Sequence, residues 1–351
     1  MSAQWQEKLA SFGLEQKDGV FEYPAAPSDT EVLCTLASES VLHVTGEDAE
    51  AFLQGQFSND ITVLDTPSSQ LSTWSSPKGR VIALFRIIRI DGGYLIKLPT
   101  VLLESVLKRL RMFAMLPTAP GKGLRPTDVS KSQVVIEPRD DLITIGVSGN
   151  STVSHMGDAG GAQPNETVDA SDELWITRVR GEYPRFEVIG TVDKLSELWS
   201  TCLATCKMAD ESVWRLQNID AGIPSVNDKT TEAFVLQMLN LHLIDGVSFK
   251  KGCFPGQEVV ARMHYLGKLK RQMFRLGYDG DAELAPGDEI YKAGGGSGVG
   301  KIVDVAGVAA NKSRMLAVMA IDATEEPLFL DKEASQPVQL LTLPYDLSPA
   351  E

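Results

Sequence analysis

Cysteine is scarce in this sequence: four residues in 351 (Cys34, Cys202, Cys206 and Cys253), at irregular spacing. So few exclude the disulfide framework of a small secreted domain. No apolar run approaches the ~20 residues needed to cross a bilayer, and the opening MSAQWQEKLASFGLEQKDG has no apolar core of a secretory signal. Positive charge is in deficit, with 33 Lys and Arg against 47 Asp and Glu, a formal charge of −14. Broad wrapping of nucleic acid depends on cations neutralising phosphates, so this balance argues against it. These absences predict a soluble, cytoplasmic chain with no membrane contact and no direct nucleic-acid binding. Its 43% hydrophobic and 23% charged residues are ordinary globular composition, and the length suits two or three domains.

Hydrophobic periodicity divides the chain. Residues 40–44 alternate as a half-buried strand, and Thr45 is expected to cap a helix through Ala51, Phe52 and Leu53 that Gly55 ends. Strands at 80–90 and 94–98 flank an Asp91-Gly-Gly93 turn. Val101, Leu102, Val106, Leu110 and Phe113 then share a helical face, and 117–123 reads as a loop. Further strands are expected near 134–136, 142–147, 174–179 and 186–189, interrupted by a Gly/Asp/Asn-rich surface loop over 157–172. Leu195, Leu198, Trp199, Cys202 and Cys206 fall on one helical face, so the two cysteines read as buried apolar residues. They are no zinc pair, because no second pair of ligands lies nearby. From Leu269 the pattern changes to short strands, 276–278, 290–291, 299–305, 315–321 and 338–343, which fit a small antiparallel barrel. The fold class is therefore α+β: two lobes over 30–120 and 121–265, then a β-barrel over 266–351.

Chemistry concentrates in 248–262. Cys253 stands between Gly252 and Gly256, just before helical character at 257–263. A helix N-terminus and the neighbouring Lys250 and Lys251 favour a thiolate, which is the nucleophile and the metal ligand. A small buried residue in a tight turn explains the same pattern equally well. Between residues 250 and 275 stand seven Lys or Arg and one acid, Glu258, a local charge of +6 in an acidic chain. Such a run suits an anionic ligand or an acidic partner surface, or is simply a solvated face. Glu258 and Arg262, four apart, are expected to pair on one helix face. The glycine-rich 294–301 lacks Walker spacing and reads as a hairpin turn. The four histidines (His43, His155, His242, His264) show no metal-ligand spacing.

The run Lys251-Gly-Cys-Phe-Pro-Gly-Gln-Glu258 resembles the signature of the YgfZ family, folate-binding proteins connected with iron–sulfur enzymes and tRNA modification. Similar segments continue on both sides. They include Gly46 to Gln56, Lys78-Gly-Arg80, Trp214-Arg-Leu-Gln-Asn-Ile-Asp-Ala-Gly-Ile-Pro224, Gln237-Met-Leu-Asn-Leu241, Val260-Ala-Arg262, Gly267 to Arg271 and the closing Leu343 to Leu347. The family is similar in fold to the aminomethyltransferase, or T-protein, of glycine cleavage. That implies a folate-binding body of two lobes plus a C-terminal barrel, three domains around a central opening.

The resemblance implies further roles. Trp214 matches an aromatic position of the folate pocket, where an indole can stack on a pterin; a core tryptophan is the competing reading. Asp220 matches the carboxylate that faces the pterin's amino-pyrimidine edge, with Asp here where Glu is usual. Glu39 stands where some relatives carry another pocket tryptophan. Ala83 and Leu84 stand where T-proteins carry an acidic pair, so ordinary aminomethyl transfer is not expected. Cys253, aided by Lys251, is the candidate reactive or iron-coordinating thiol. Gly252 and Gly256 are expected to shape its loop, and Gln257, Glu258 and Arg262 to position it. The cofactors implied are tetrahydrofolate or a derivative and a transient iron–sulfur cluster shared with a partner, since one thiol cannot complete a [4Fe–4S] site. The partners implied are folate and iron–sulfur client or assembly proteins, with the chain a monomer. Three functions follow: a folate-binding accessory protein for [4Fe–4S] enzymes, a folate-dependent one-carbon transferase, or a folate-stabilised scaffold.

Overall fold

In a computed structural model, residues 2–17, 20–23, 31–115, 133–294 and 296–347 are described. The loop expected at 117–123 lies outside the described residues. The chain forms two compact units, each built from separated stretches. The first takes Met1–Phe52, Ile61–Gln70 and Arg86–Trp214; the second takes Leu53–Asp60, Leu71–Phe85 and Arg215–Glu351.

In the first unit a six-stranded sheet runs in the order Thr167–Ser171, Leu174–Val179, Arg185–Thr191, Leu142–Ser148, Val32–Thr35, Lys207–Met208. Its neighbours are antiparallel except the last pair. Helix Ala3–Ser11 contributes Trp5 and Leu9 to its core, and helix Val192–Cys202 contributes Leu195, Trp199 and Cys202. The Trp5 and Trp199 rings meet edge to face, centroids 5.3 Å apart, a favoured aromatic geometry. Cys202 and Cys206 are buried in this core, although the helix ends at Cys202.

The stretch 157–172 is not the loop expected. Short turns over Asn150–His155 and Gly157–Gly161 bury Met156 and Ala159, and Thr167–Ser171 is a strand. Polar residues hide its alternation; it is fixed by pairing with Leu174–Val179.

A second sheet orders Ser68–Ser75, Val81–Ile90, Gly93–Pro99, Glu39–Thr45 and Val135–Pro138. Helix Thr100–Met115 buries Leu102, Val106 and Leu110, as its spacing predicts, while Val101 is exposed. Thr45 ends its strand rather than capping a helix. The helix begins at Ala49 and runs through Gly55 to Gln56, so Gly55 does not stop it.

In the second unit a closed antiparallel barrel runs Arg271–Asp279, Lys312–Ala320, Gly300–Ala309, Glu289–Lys292, Leu328–Phe329, Pro337–Leu341 and back to the first strand. Alternate residues such as Leu276, Ile290, Ile302, Met315, Ala317 and Met319 fill its interior. Closure removes the exposed edges of an open sheet. The strand Leu328–Phe329, two residues long, is too short for periodicity to show.

Candidate functional site

The candidate site lies in the second unit, where segments far apart in the chain converge on the signature run. Gly256 has a φ of +81°, and a Cβ there would meet Gly79 Cα and Ser76 O at 2.6 Å. Gly79, at φ +72°, is packed a little less tightly against Val259, whose Cβ is 3.0 Å from where its own Cβ would stand. Both positions combine left-handed backbone with a close approach, so each requires glycine. The Lys78-Gly-Arg80 turn and the signature loop are thus two halves of one contact. Gly252 differs: a Cβ there meets nothing within 4 Å. The close approach is therefore found at Gly256 and not at Gly252.

Lys251 points inward. Its ammonium donates to the carbonyls of Gln54, Phe57 and Asn59 at 2.7, 2.5 and 2.9 Å. These carbonyls lie at and just beyond the end of helix Ala49–Gln56, where backbone acceptors lack intrahelical partners. Burial pushes Lys251 down to about 8, with Asp60 pulling the other way. All three ammonium protons face backbone oxygen, so this side chain fastens the loop to the body of the unit. The same stretch is tied at Ser248, whose N–H donates to Ser58 O at 3.1 Å, and at Asn59, whose amide donates to Asp245 O at 2.7 Å. Neither Ser58 nor Asn59 was among the residues the sequence singled out; only their adjacency to the Gly46–Gln56 motif pointed there.

Downstream, Gly256 opens helix Gln257–Tyr265. The Gln257 N–H is taken by Phe254 O, and Gln237 Nε2 holds Val260 O at 2.7 Å. Glu258 and Arg262 pair at 3.1 Å, as their spacing predicts, but both are largely exposed. Cys253 is exposed while Phe254 beside it is buried. The other three cysteines are buried, and burial pushes Cys34 above the usual thiol range, Cys202 to about 12 and Cys206 to about 11. Among the described residues no three His, Cys, Asp or Glu side chains gather as a metal site.

The remaining candidates are held by other partners. Asp220, in the second unit, is held by Arg275 at 3.3 Å on one carboxylate oxygen and by Arg314 on the other, and is partly exposed. Trp214, in the first unit, is 3% exposed; its ring lies against Gly146, with the Arg185 guanidinium carbon 4.1 Å from its centroid. Of the two readings of Trp214, the core tryptophan describes this geometry. Ala83 and Leu84 are buried, with no carboxylate at either position. Glu39 lies 3.8 Å from the Lys97 ammonium.

The architecture defines the class first. The structure of the glycine cleavage system aminomethyltransferase T from Bartonella henselae matches 98% of this chain and 97% of its own at a TM-score of 0.67, with 11% identity. The protein therefore has the aminomethyltransferase T fold, mixed α and β with a closed antiparallel barrel. No family model matches the sequence, but its relatives are specific. Proteins named tRNA-modifying protein YgfZ are similar along nearly the whole length. The one from Klebsiella pneumoniae (strain 342) is 26% identical, covering 93% of this chain and 98% of its own; that from Colwellia psychrerythraea is 28% identical, covering 90% and 93%. Along nearly its whole length, the ordered motifs included, the chain is similar to proteins of the YgfZ family.

Proposed function

We propose that this protein is a folate-binding accessory factor for the assembly or maintenance of [4Fe–4S] enzymes, tRNA-modifying ones among them, and that it works through Cys253. The observation that carries this reading is the contrast among the cysteines: three are buried, and Cys253 alone is exposed. It stands on a loop fixed by Lys251, Ser248, Gly79 and Gly256. A loop held this firmly presents one sulfur at a defined place, which suits transient ligation of iron completed by a partner's ligands. The name shared by its relatives supplies the tRNA connection.

Tetrahydrofolate, a one-carbon carrier, is the ligand the family resemblance implies. Asp220 fits a role toward its amino-pyrimidine edge. The two arginines orient the carboxylate, each oxygen retains an acceptor direction, and the group is partly open. Trp214 offers no open ring face in this structure, so it supports the frame rather than a stacking platform. One-carbon transfer by the T-protein route is disfavoured, because Ala83 and Leu84 cannot accept a proton. The scaffold reading has one observation in its favour: Lys251 is fully occupied in fastening the loop.

Complementation separates these readings. In a strain lacking the protein, Cys253→Ser at matched expression is expected to lose both tRNA methylthiolation and the activity of a second [4Fe–4S] enzyme. Full rescue by Cys253→Ser overturns the thiol reading and leaves the scaffold. One-carbon transfer from tetrahydrofolate that depends on Cys253 supports the transferase instead.

A further inference from the structure

The signature loop and the helix after it share an exposed ridge of the second unit. Phe249 stacks on His264, ring centroids 3.7 Å apart at an interplanar angle of 10°, and meets Tyr265 edge-on at 6.4 Å. The chain from Phe249 to Gly256 therefore doubles back along helix Gln257–Tyr265. Cys253 lies toward the start of that helix and the Tyr265-Leu266 pair at its end. Nine helical residues span roughly 13 Å, a separation that a single docked protein covers.

Leu266 is 86% exposed, more than any other large hydrophobic side chain among the described residues, and Tyr265 is 66% exposed. Isolated exposed apolar residues need no explanation, but two consecutive ones joined to an aromatic cluster form a patch. The surrounding sequence adds charge. Lys250, Arg262, Lys268, Lys270 and Arg271 are all exposed; the single acid of the stretch, Glu258, is already paired with Arg262. This cationic stretch belongs to a chain whose net charge is −14. Apolar anchors flanked by cations complement an apolar recess rimmed by carboxylates. Single-stranded nucleic acid fits less well. Base stacking needs a row of open aromatic faces, whereas His264 and Phe249 cover one another and Tyr265 alone of the cluster is left as a largely exposed ring.

Resting on the function proposed above, we infer that Tyr265 and Leu266 anchor an acidic client protein beside Cys253, with Lys268, Lys270 and Arg271 facing its carboxylates. The probe is a purified [4Fe–4S] tRNA methylthiotransferase binding to the full-length chain, measured at low and high salt. Leu266→Asp is expected to weaken binding at least tenfold with an unchanged melting temperature, and Leu266→Ser to act in the same direction. The double variant K268E/K270E is expected to slow association about tenfold at low salt and less at high salt. Val101→Asp, at an exposed apolar position of the first unit, is expected to bind normally. In the complementation strain, Leu266→Asp is expected to lower tRNA methylthiolation severalfold although Cys253 is intact.

Wild-type chain that fails to bind the enzyme, or Leu266→Asp that binds and complements fully, overturns the inference. So does salt-sensitive binding of tRNA alone that Leu266→Asp abolishes, which would mark this ridge as an RNA surface. The outcomes separate this inference from the functional reading: a defective Cys253→Ser with a fully active Leu266→Asp removes only the docking site. Full rescue by Cys253→Ser removes the functional reading itself.

Discussion

Each unit buries a lysine, and the two are accommodated in opposite ways. In the first unit Lys97 donates to Glu187 at 2.9 Å, and Glu187 also takes Arg86 at 2.9 Å; all three are nearly inaccessible. Formal charge meets formal charge. Burial opposes ionisation of Lys97, but Glu187 and Glu39 outweigh it and its affinity for a proton is raised. In the second unit Lys251 has three carbonyls and no paired carboxylate, and burial takes it down to about 8. An ion network within sheets is a stability device that fixes strands. An ammonium capping a helix end fixes a loop, here the one that carries Cys253.

The largest effect is expected from breaking the network. Glu187→Gln leaves Arg86 buried without its countercharge and Lys97 with only Glu39 at 3.8 Å, and such losses cost about 3–5 kcal/mol. Urea unfolding is expected to show this loss, whereas replacing all three by apolar residues of similar volume is expected to cost far less.

Somewhat smaller is the effect of Gly256→Ala. Its Cβ would meet backbone of Ser76 and Gly79 at 2.6 Å, and its φ of +81° adds strain, so a loss of about 2–4 kcal/mol is expected. Complementation is expected to fall with it, because the loop presenting Cys253 must shift.

The pH dependence sharpens the comparison most directly. Glu187 is lowered to about 2 against its ordinary 4.5; burial opposes ionisation, and Lys97 and Arg86 overcome it. Its contribution is therefore complete above about pH 4.5 and lost as pH falls through 2, on the order of 3 kcal/mol. Lys251 has the opposite character. Its folded value lies below the unfolded 10.5, so it disfavours folding below about pH 8 and ceases to do so as pH rises toward 10.5. Titration of the lysine ε-methylenes by NMR is expected to show Lys251 changing near pH 8 while Lys97 stays protonated.

Much of this molecule is legible in its sequence wherever the period is local. The longer barrel strands after Leu269, the helix burying Leu102, Val106 and Leu110, and the Glu258–Arg262 pair follow from spacing alone. The ordered motifs likewise carried the family resemblance. Misreadings arose where neighbours outside the window decide. Gly55 stays inside its helix, and carbonyls at and just beyond that helix's end are taken by the ammonium of Lys251, almost two hundred residues later. Thr167–Ser171 is a strand because Leu174–Val179 pairs with it, although its polar residues show no alternation.

The sequence by itself determined the class of fold, the presence of one cysteine in a basic, glycine-flanked run, and the absence of an acid at Ala83 and Leu84. Those are matters of composition, period and residue identity, which the chain carries without folding. Tertiary structure decided which cysteine is exposed, that Lys251 turns away from solvent, and that Gly79 and Gly256 form one contact. The physical reason is common to all three. Burial and close approach are properties of atoms brought together across long stretches of chain, and no local pattern encodes them.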